Sequence, residues 1–222
     1  MDTEFILRCV KAVQEAIDTH QADIESLDRE IGDGDHLINI TRGCAVVAAM
    51  EETLRPLPPD EVFSRIGKKL LSSIGGASGP LIASFFMAMG ETLRKQGAEA
   101  ITAATFAPAF AAGVAAIGQR GKAGLGEKTM LDVLIPVAQT FETLAVQGDT
   151  PALCQALRAE ALKGMLGTKD MLATKGRAAF LGERAIGHID PGSKSCQVAI
   201  TAVCDTVEQA IGASKTDANA VA

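Results

Sequence analysis

Apolar residues recur along this chain at helical spacing. Ile6, Val10, Val13 and Ile17 stand four, three and four positions apart, and Val62, Ile66, Leu70 and Ile74 line one face in the same way. Starts and stops marked by Gly, Pro and Ser/Thr/Asp predict eight helices, over about 4–19, 36–54, 60–74, 79–96, 102–119, 129–146, 150–173 and 194–212. No segment alternates with period two for long enough to predict a strand. The expectation is an all-α chain, a single domain over residues 1–213, followed by a polar tail, "SKTDANAVA", at 214–222.

The connections between these helices fall into two alternating kinds. "RPLPPDE", "QGAEAIT" and "QGDT" are short turns of ordinary content. "DREIGDGD", "SIGGASGP", "QRGKAGLGEKT" and "KGRAAFLGERAIGHIDPGS" are rich in Gly with polar or charged residues between. In an antiparallel bundle, alternate connections share an end. A Gly after a helix is commonly no more than a cap, so each loop alone says little. Their falling on every second connection predicts a site at one end.

Composition narrows the chemistry. Hydrophobic residues make up 47% and aromatics only 4%, with no Trp and no Tyr, which favours helices packed through small residues over a sheet. The net charge of −6 argues against nucleic acid as a partner, because a phosphate backbone needs a basic footprint. An anion is held by such a chain only where metal ions or backbone amides supply the positive charge. The amino-terminal stretch has no basic leader and no apolar run reaches membrane-spanning length. The five cysteines form no CxxC pair. These features lead to the expectation of a cytoplasmic protein with reduced thiols and no membrane contact.

The first loop carries Asp28, Asp33 and Asp35 around Gly32 and Gly34. Three carboxylates on a tight turn are hard oxygen ligands of the kind Mg²⁺ or Ca²⁺ prefers. An EF-hand is excluded, since Leu37 stands at its third ligand position. Helix capping by Asp33 or Asp35 accounts for one acid and not for three. The second loop, "GGASGP", leads into a helix and can turn backbone N–H groups toward an anion, although Ser with Pro in the first turn is also an ordinary helix start. The third and fourth loops add Arg120, Lys122 and Lys128, then Lys175, Arg177, Arg184 and His188, ahead of Asp190-Pro191-Gly192. For most of these cations a solvated surface position is the plainer reading. Neither GxxxxGK[ST] nor a GxGxxG after a strand occurs. An acidic metal loop, an amide cradle and basic loops at one end describe a magnesium–nucleotide site, whose chemistry is phosphoryl transfer. No Ser-His-Asp or Cys-His pairing supports nucleophilic catalysis.

The runs "LDREIGDGDHLIN", "LLSSIGGASGPL", "GEKTMLDVLIPV" and "KGRAAFLGERAIGHIDPGS", in order from residue 27 to 193, resemble the nucleotide-binding L subunit of dihydroxyacetone kinase. The resemblance implies a barrel of eight antiparallel helices. It implies that Asp28, Asp33 and Asp35 hold two Mg²⁺ ions against the phosphates of ADP or ATP. It places nucleotide contacts at His36, Leu37, Ile38 and Asn39, at Ala77 and Ser78, at Gly121, Met130 and Arg177, and at Asp190, Pro191 and Gly192. The ketose is then carried by a separate K subunit. The phosphoryl donor is either a phosphotransferase-system protein that recharges a bound ADP, the preferred reading, or an exchanging ATP. A nucleotide-sensing regulator on the same fold is the alternative of another class. Two positions depart from the family pattern: Leu37 stands where Gly is usual, and "GEKT", with Glu127, replaces "GDKT".

Overall fold

The computed structural model describes residues 1–76, 78–97 and 100–220, with side chains as far as residue 213. Among the described residues there is no strand. The helices are α1 (Thr3–Thr19), α2 (Gln21–Ile31), α3 (His36–Ala48), α4 (Glu51–Leu54), α5 (Pro59–Ser73), α6 (Ser78–Gln96), α7 (Ala103–Gly121), α8 (Leu131–Leu144), α9 (Thr150–Gly167) and α10 (Pro191–Ala220). Short 3-10 segments occupy Ala145–Gln147, Thr168–Asp170 and Ala178–Ala185. Side chains cap several starts: Asp2 accepts from the Phe5 N–H, Asp149 from Ala152, and Thr102 and Thr105 form a reciprocal capping box.

The all-helical class stands, while the count is ten α-helices among the described residues rather than eight. The additional α2 covers residues between the first two expected helices. Ile24, Asp28 and Ile31 are its buried positions, so a carboxylate sits on the inward face and interrupts the apolar stripe that would have marked the helix. The helix expected over 36–54 breaks at Ala49–Met50 without a Gly or Pro, and α4 then delivers Leu54, fully buried, to the core. The helix expected to reach 173 ends at Gly167, where the tighter turn of Thr168–Asp170 begins. At the other extreme, helical backbone continues to Ala220, through residues expected to be tail, since neither Pro nor a Gly beyond Gly212 stops it.

The long helices pack in sequence, α5 on α6, α6 on α7, α7 on α8, α8 on α9 and α9 on α10, and α10 returns to α1, which meets α3, which meets α5. One core is built from Ile6, Val47, Leu54, Val62, Phe63, Ile66, Leu70, Met89 and Leu93, another from Val133, Val137, Leu153, Leu157, Ala161 and Met165. Between them six phenylalanines close a circuit, Phe63–Phe86–Phe85–Phe110–Phe141–Phe106 and back to Phe63, with ring centroids 5.2–6.3 Å apart. This apolar middle leaves polar chemistry to the ends.

Candidate functional site

Asp28 lies on the last turn of α2, not on a loop, and is 3% exposed. Its Oδ2 accepts the backbone N–H of His36 at 3.0 Å. Asp35 occupies the N-cap position of α3 but makes no side-chain cap bond. The cap of α3 therefore comes from the preceding helix, and Asp33 and Asp35 remain exposed at the turn. Gly32 makes this possible: a Cβ there would stand 1.8 Å from Asp28 Oδ1. Gly34 follows at φ 78, a backbone most residues avoid.

The carboxyl of Asp35 is held above its ordinary value, by desolvation first, then by a hydrogen bond and like charge from Asp33, with the Asp28 charge adding and Asn39 opposing. Asp35 is thus bonded to Asp33 and lies within reach of the Asp28 charge. Asp33 is met by Arg177, whose Nε lies 2.7 Å from its Oδ2. With Asp33 turned to Arg177 and Asp28 turned to the His36 amide, no three His, Cys, Asp or Glu side chains among the described residues converge in a way that could hold a metal ion. In kind, the carboxylate set suits a hard divalent cation, which would take the place of Arg177 as the positive partner of Asp33.

The second loop arrives beside the first. A Cβ on Gly76 would lie 3.7 Å from Asp35 Oδ2 and 3.8 Å from Asn39 Nδ2, and one on Gly75 would lie 3.7 Å from Asn39 Oδ1. Asn39 itself is buried in the first turns of α3. Ser78 opens α6, and Ala77 lies outside the described residues. Gly121 ends α7 against Leu81 of α6. The α2–α3 and α5–α6 connections therefore meet at one end.

His36 ties this region to α10. Its Nε2 is 2.8 Å from Ser195 Oγ, and that hydroxyl donates to the Pro191 carbonyl at 3.0 Å. With the serine proton so engaged, the ring nitrogen is the donor, which selects the Nε2–H tautomer. Burial lowers the imidazole's proton affinity, against the charges of Asp28 and Asp35. Ser195 carried no sequence signal beyond its place in the first turns of a helix. Leu37 packs inward with Ile17, Ile24 and Val198, so the departure from Gly fills a core position. Ile38 is 56% exposed.

The third and fourth loops interlock. Met130 caps α8, and Gly192 approaches it: a Cβ on Gly192 would be 3.6 Å from Met130 Cβ and 3.1 Å from Asp190 Oδ2. Asp190 accepts from Ser193 N at 2.7 Å at the start of α10, and burial raises its carboxyl to about 6. Asp132, 3% exposed, accepts from Gly126 N and Thr129 N. Glu127 accepts from Thr174 Oγ1 at 2.8 Å and from Gly124 N at 2.6 Å, and these bonds, with Lys175 nearby, lower its carboxyl. Its extra methylene spans from one loop to the other. The plain surface reading of the cations holds for Arg120, Lys122 and Arg184, which are exposed, and fails for Lys128, which is buried. A 3-10 segment rests on α2 through Ile31, Ala173, Ala178 and Ala185, leaving Phe180 83% exposed.

Residues 30–205 match the family model described as the DAK2 domain. The chain is 36% identical, over 92% of its length and 97% of the relative's, to the ADP-binding subunit DhaL of PEP-dependent dihydroxyacetone kinase 1 from Listeria innocua. It is 40% identical, over 82% of its length and 85% of the relative's, to the ADP-binding subunit DhaL of the PTS-dependent dihydroxyacetone kinase of Lactococcus lactis. The crystal structure of the dihydroxyacetone kinase from C. freundii in complex with AMP-PNP and Mg²⁺ is similar over 90% of this chain, with a TM-score of 0.70 and 26% identity; this chain spans 33% of that one. The chain belongs to the DAK2-domain family, among the DhaL-type ADP-binding subunits.

Proposed function

We propose that this chain is the nucleotide-binding, phosphoryl-transferring subunit of a dihydroxyacetone-type kinase. The reading rests on membership of the DhaL-type subunits together with one observation, the approach of the Gly75–Gly76 backbone to Asp35 and Asn39, with Asp33 hydrogen-bonded to Asp35 and the Asp28 charge felt there. Asp28, Asp33 and Asp35 would hold two Mg²⁺ ions. When bound, these ions supply the positive charge that an acidic chain needs in order to hold a nucleotide's phosphates and stabilise their transfer. The chain's own groups supply position. Asp28 caps α3 and fixes the direction of its first turn, and the Gly75–Gly76 backbone approaches Asp35 and Asn39 without a side chain of its own in the way. Arg177 is free to pass from Asp33 to phosphate oxygens, and Met130 with Asp190–Gly192 flanks the remainder of the nucleotide. The fold is read as a barrel of eight antiparallel long helices with this site at one end, the packed domain extending to about residue 213.

The acceptor is a short-chain ketose presented by a separate K subunit. Bound ADP acts as a cofactor recharged by a phosphotransferase-system protein; similarity to the PEP- and PTS-dependent subunits favours this over exchanging ATP. Denaturing freshly purified protein and quantifying released nucleotide tests the first step. About one ADP per chain, surviving dialysis with Mg²⁺, is expected. A site that exchanges ATP freely would transfer the reading to an ATP-dependent kinase, and failure to bind any nucleotide would overturn both. Phosphorylation of dihydroxyacetone with added K subunit and donor completes the test, because a purely sensing protein yields no sugar phosphate.

A further inference from the structure

Lys128 is the largest fully buried side chain in the described protein, at 1% exposure, where lysine is seldom found. Its backbone lies at φ 59, in the left-handed region that L side chains rarely adopt. The reward for both costs is a cup of three carbonyls. The Nζ donates to Thr168 O and His188 O at 2.5 Å and reaches Lys169 O at 3.5 Å. An ammonium has three N–H donors and no acceptor, so three carbonyls satisfy it, whereas the planar guanidinium of Arg would not fit such a cup. Burial lowers the ammonium's proton affinity, and Asp190, Asp170 and Asp132 oppose that shift.

The three acceptors come from two distant segments, and both lead to residues of the nucleotide site. Thr168, fully buried, accepts the Asp190 N–H on Oγ1 at 3.0 Å, and Gly187 N donates to Lys169 O at 2.8 Å. On the other side of the lysine, Thr129 O accepts from Ser193 Oγ at 2.8 Å, and Met130 follows at once. Met130 and the Asp190–Gly192 segment are thus both anchored within two residues of the same ammonium or its carbonyl partners.

We propose that Lys128 is a positioning residue of the nucleotide site, holding the 168–170 turn and the 187–190 segment together so that Met130 and Asp190–Gly192 form one surface for the nucleotide. The inference rests on the reading that those residues contact the nucleotide. Lys128 itself touches neither nucleotide nor metal.

The test uses Lys128→Ala in the full chain, which leaves the carbonyl cup open to an ammonium ion. Three quantities are measured: ADP affinity with Mg²⁺ by calorimetry, Mn²⁺ affinity without nucleotide by electron paramagnetic resonance, and amide exchange at residues 168–170 and 186–190. The expected result is an ADP affinity about tenfold or more weaker, the scale of leaving buried polar groups unpaired. Mn²⁺ affinity should be unchanged, exchange in both segments faster, and ammonium chloride should recover most of the ADP affinity where choline chloride, too large for the cup, does not. Unchanged ADP affinity would overturn the proposal, and so would a loss that ammonium fails to recover. A variant that does not fold even with ammonium present would make Lys128 a residue of folding and also refute it. If the unaltered chain binds no ADP, it is the nucleotide reading that fails, and the exchange data still report whether Lys128 holds the two segments.

Discussion

The two ends of the helical array are built by opposite rules. Among the described residues, Asp28, Asn39, Lys128, Asp132, Thr168, Ser193 and Ser195 are buried at the end that carries the candidate site, against Thr3 and, farther along α10, Thr206. At that other end, Thr3 donates to Leu57 O and the amino terminus to Ile101 O, while Arg55 pairs with Glu4 and Glu51 in the open. A buried polar group costs roughly 1–3 kcal/mol if it loses its partner, so a dense set of them is retained only where every partner is in place. One end is held by apolar contact and solvated pairs. The other is a lattice of directed hydrogen bonds whose geometry can be spent on binding.

The strongest way to break this contrast is at Asp28. Asp28→Asn keeps the shape and removes the charge, and it should weaken Mn²⁺ and ADP binding together by about 100-fold; calorimetry showing ADP held as before would refute the metal clamp. A matched pair of glycines sharpens it. Gly32→Ala drives a methyl into the Asp28 carboxylate and should lower Mn²⁺ affinity by about tenfold, the scale of one misplaced carboxylate. Gly90→Ala, whose Cβ would meet Asp60 O at 2.6 Å, should instead cost about 1–3 kcal/mol of stability by overpacking and leave ADP affinity alone. Equal effects of the two on binding would erase the distinction between the ends.

Arg177→Met should act in opposite directions on the two ligands. Without nucleotide, Asp33 is released and Mn²⁺ binds tighter by up to about fivefold, the range of an exposed ion pair; with Mg²⁺ present, ADP binds more weakly. Movement of both affinities in one direction would show that Arg177 does not change partners. Asp190 offers a pH test. Its folded-state value, about 6, exceeds the ordinary carboxylate value of about 4. Its contribution to stability is therefore fully present below the unfolded value and lost as pH rises through about 6. Asp190→Asn should flatten the fall in urea midpoint across that window, and an unaltered slope would contradict the burial argument. The smallest effect belongs to the far end, where Arg55→Ala should leave ADP affinity unchanged and the melting temperature nearly so, because its pairs lie in solvent.

Much of the architecture was legible because local chemistry carried it. The periodic faces of Ile6–Ile17 and Val62–Ile74 mark helices, and the alternation of glycine-rich with plain connections leads to the expectation that the four glycine-rich loops share one end. The meeting of Asp35 with Gly76 and of Met130 with Gly192 agrees with that expectation. The rest depended on partners far along the chain. The α2 helix turns Asp28 inward on its buried face, so its inward side does not read as an apolar stripe. Lys128 reads as one more loop cation, since nothing in "GEKT" announces three carbonyls contributed from 40 to 60 residues further on. Ser195 is an unremarkable helix residue until His36 is placed against it.

By itself, then, the sequence determined helical class, the glycine-rich loops, the three acids close together at 28, 33 and 35 and the family, because each depends on residues close together in the chain or on long ordered runs. Tertiary structure alone decided which groups are buried and with whom: that Asp28 rather than Asp35 caps α3, that Arg177 rather than solvent faces Asp33, and that a lysine lies inside. Those outcomes depend on partners distant in sequence, and the cost of burying a polar group makes the partner, not the residue, the deciding quantity.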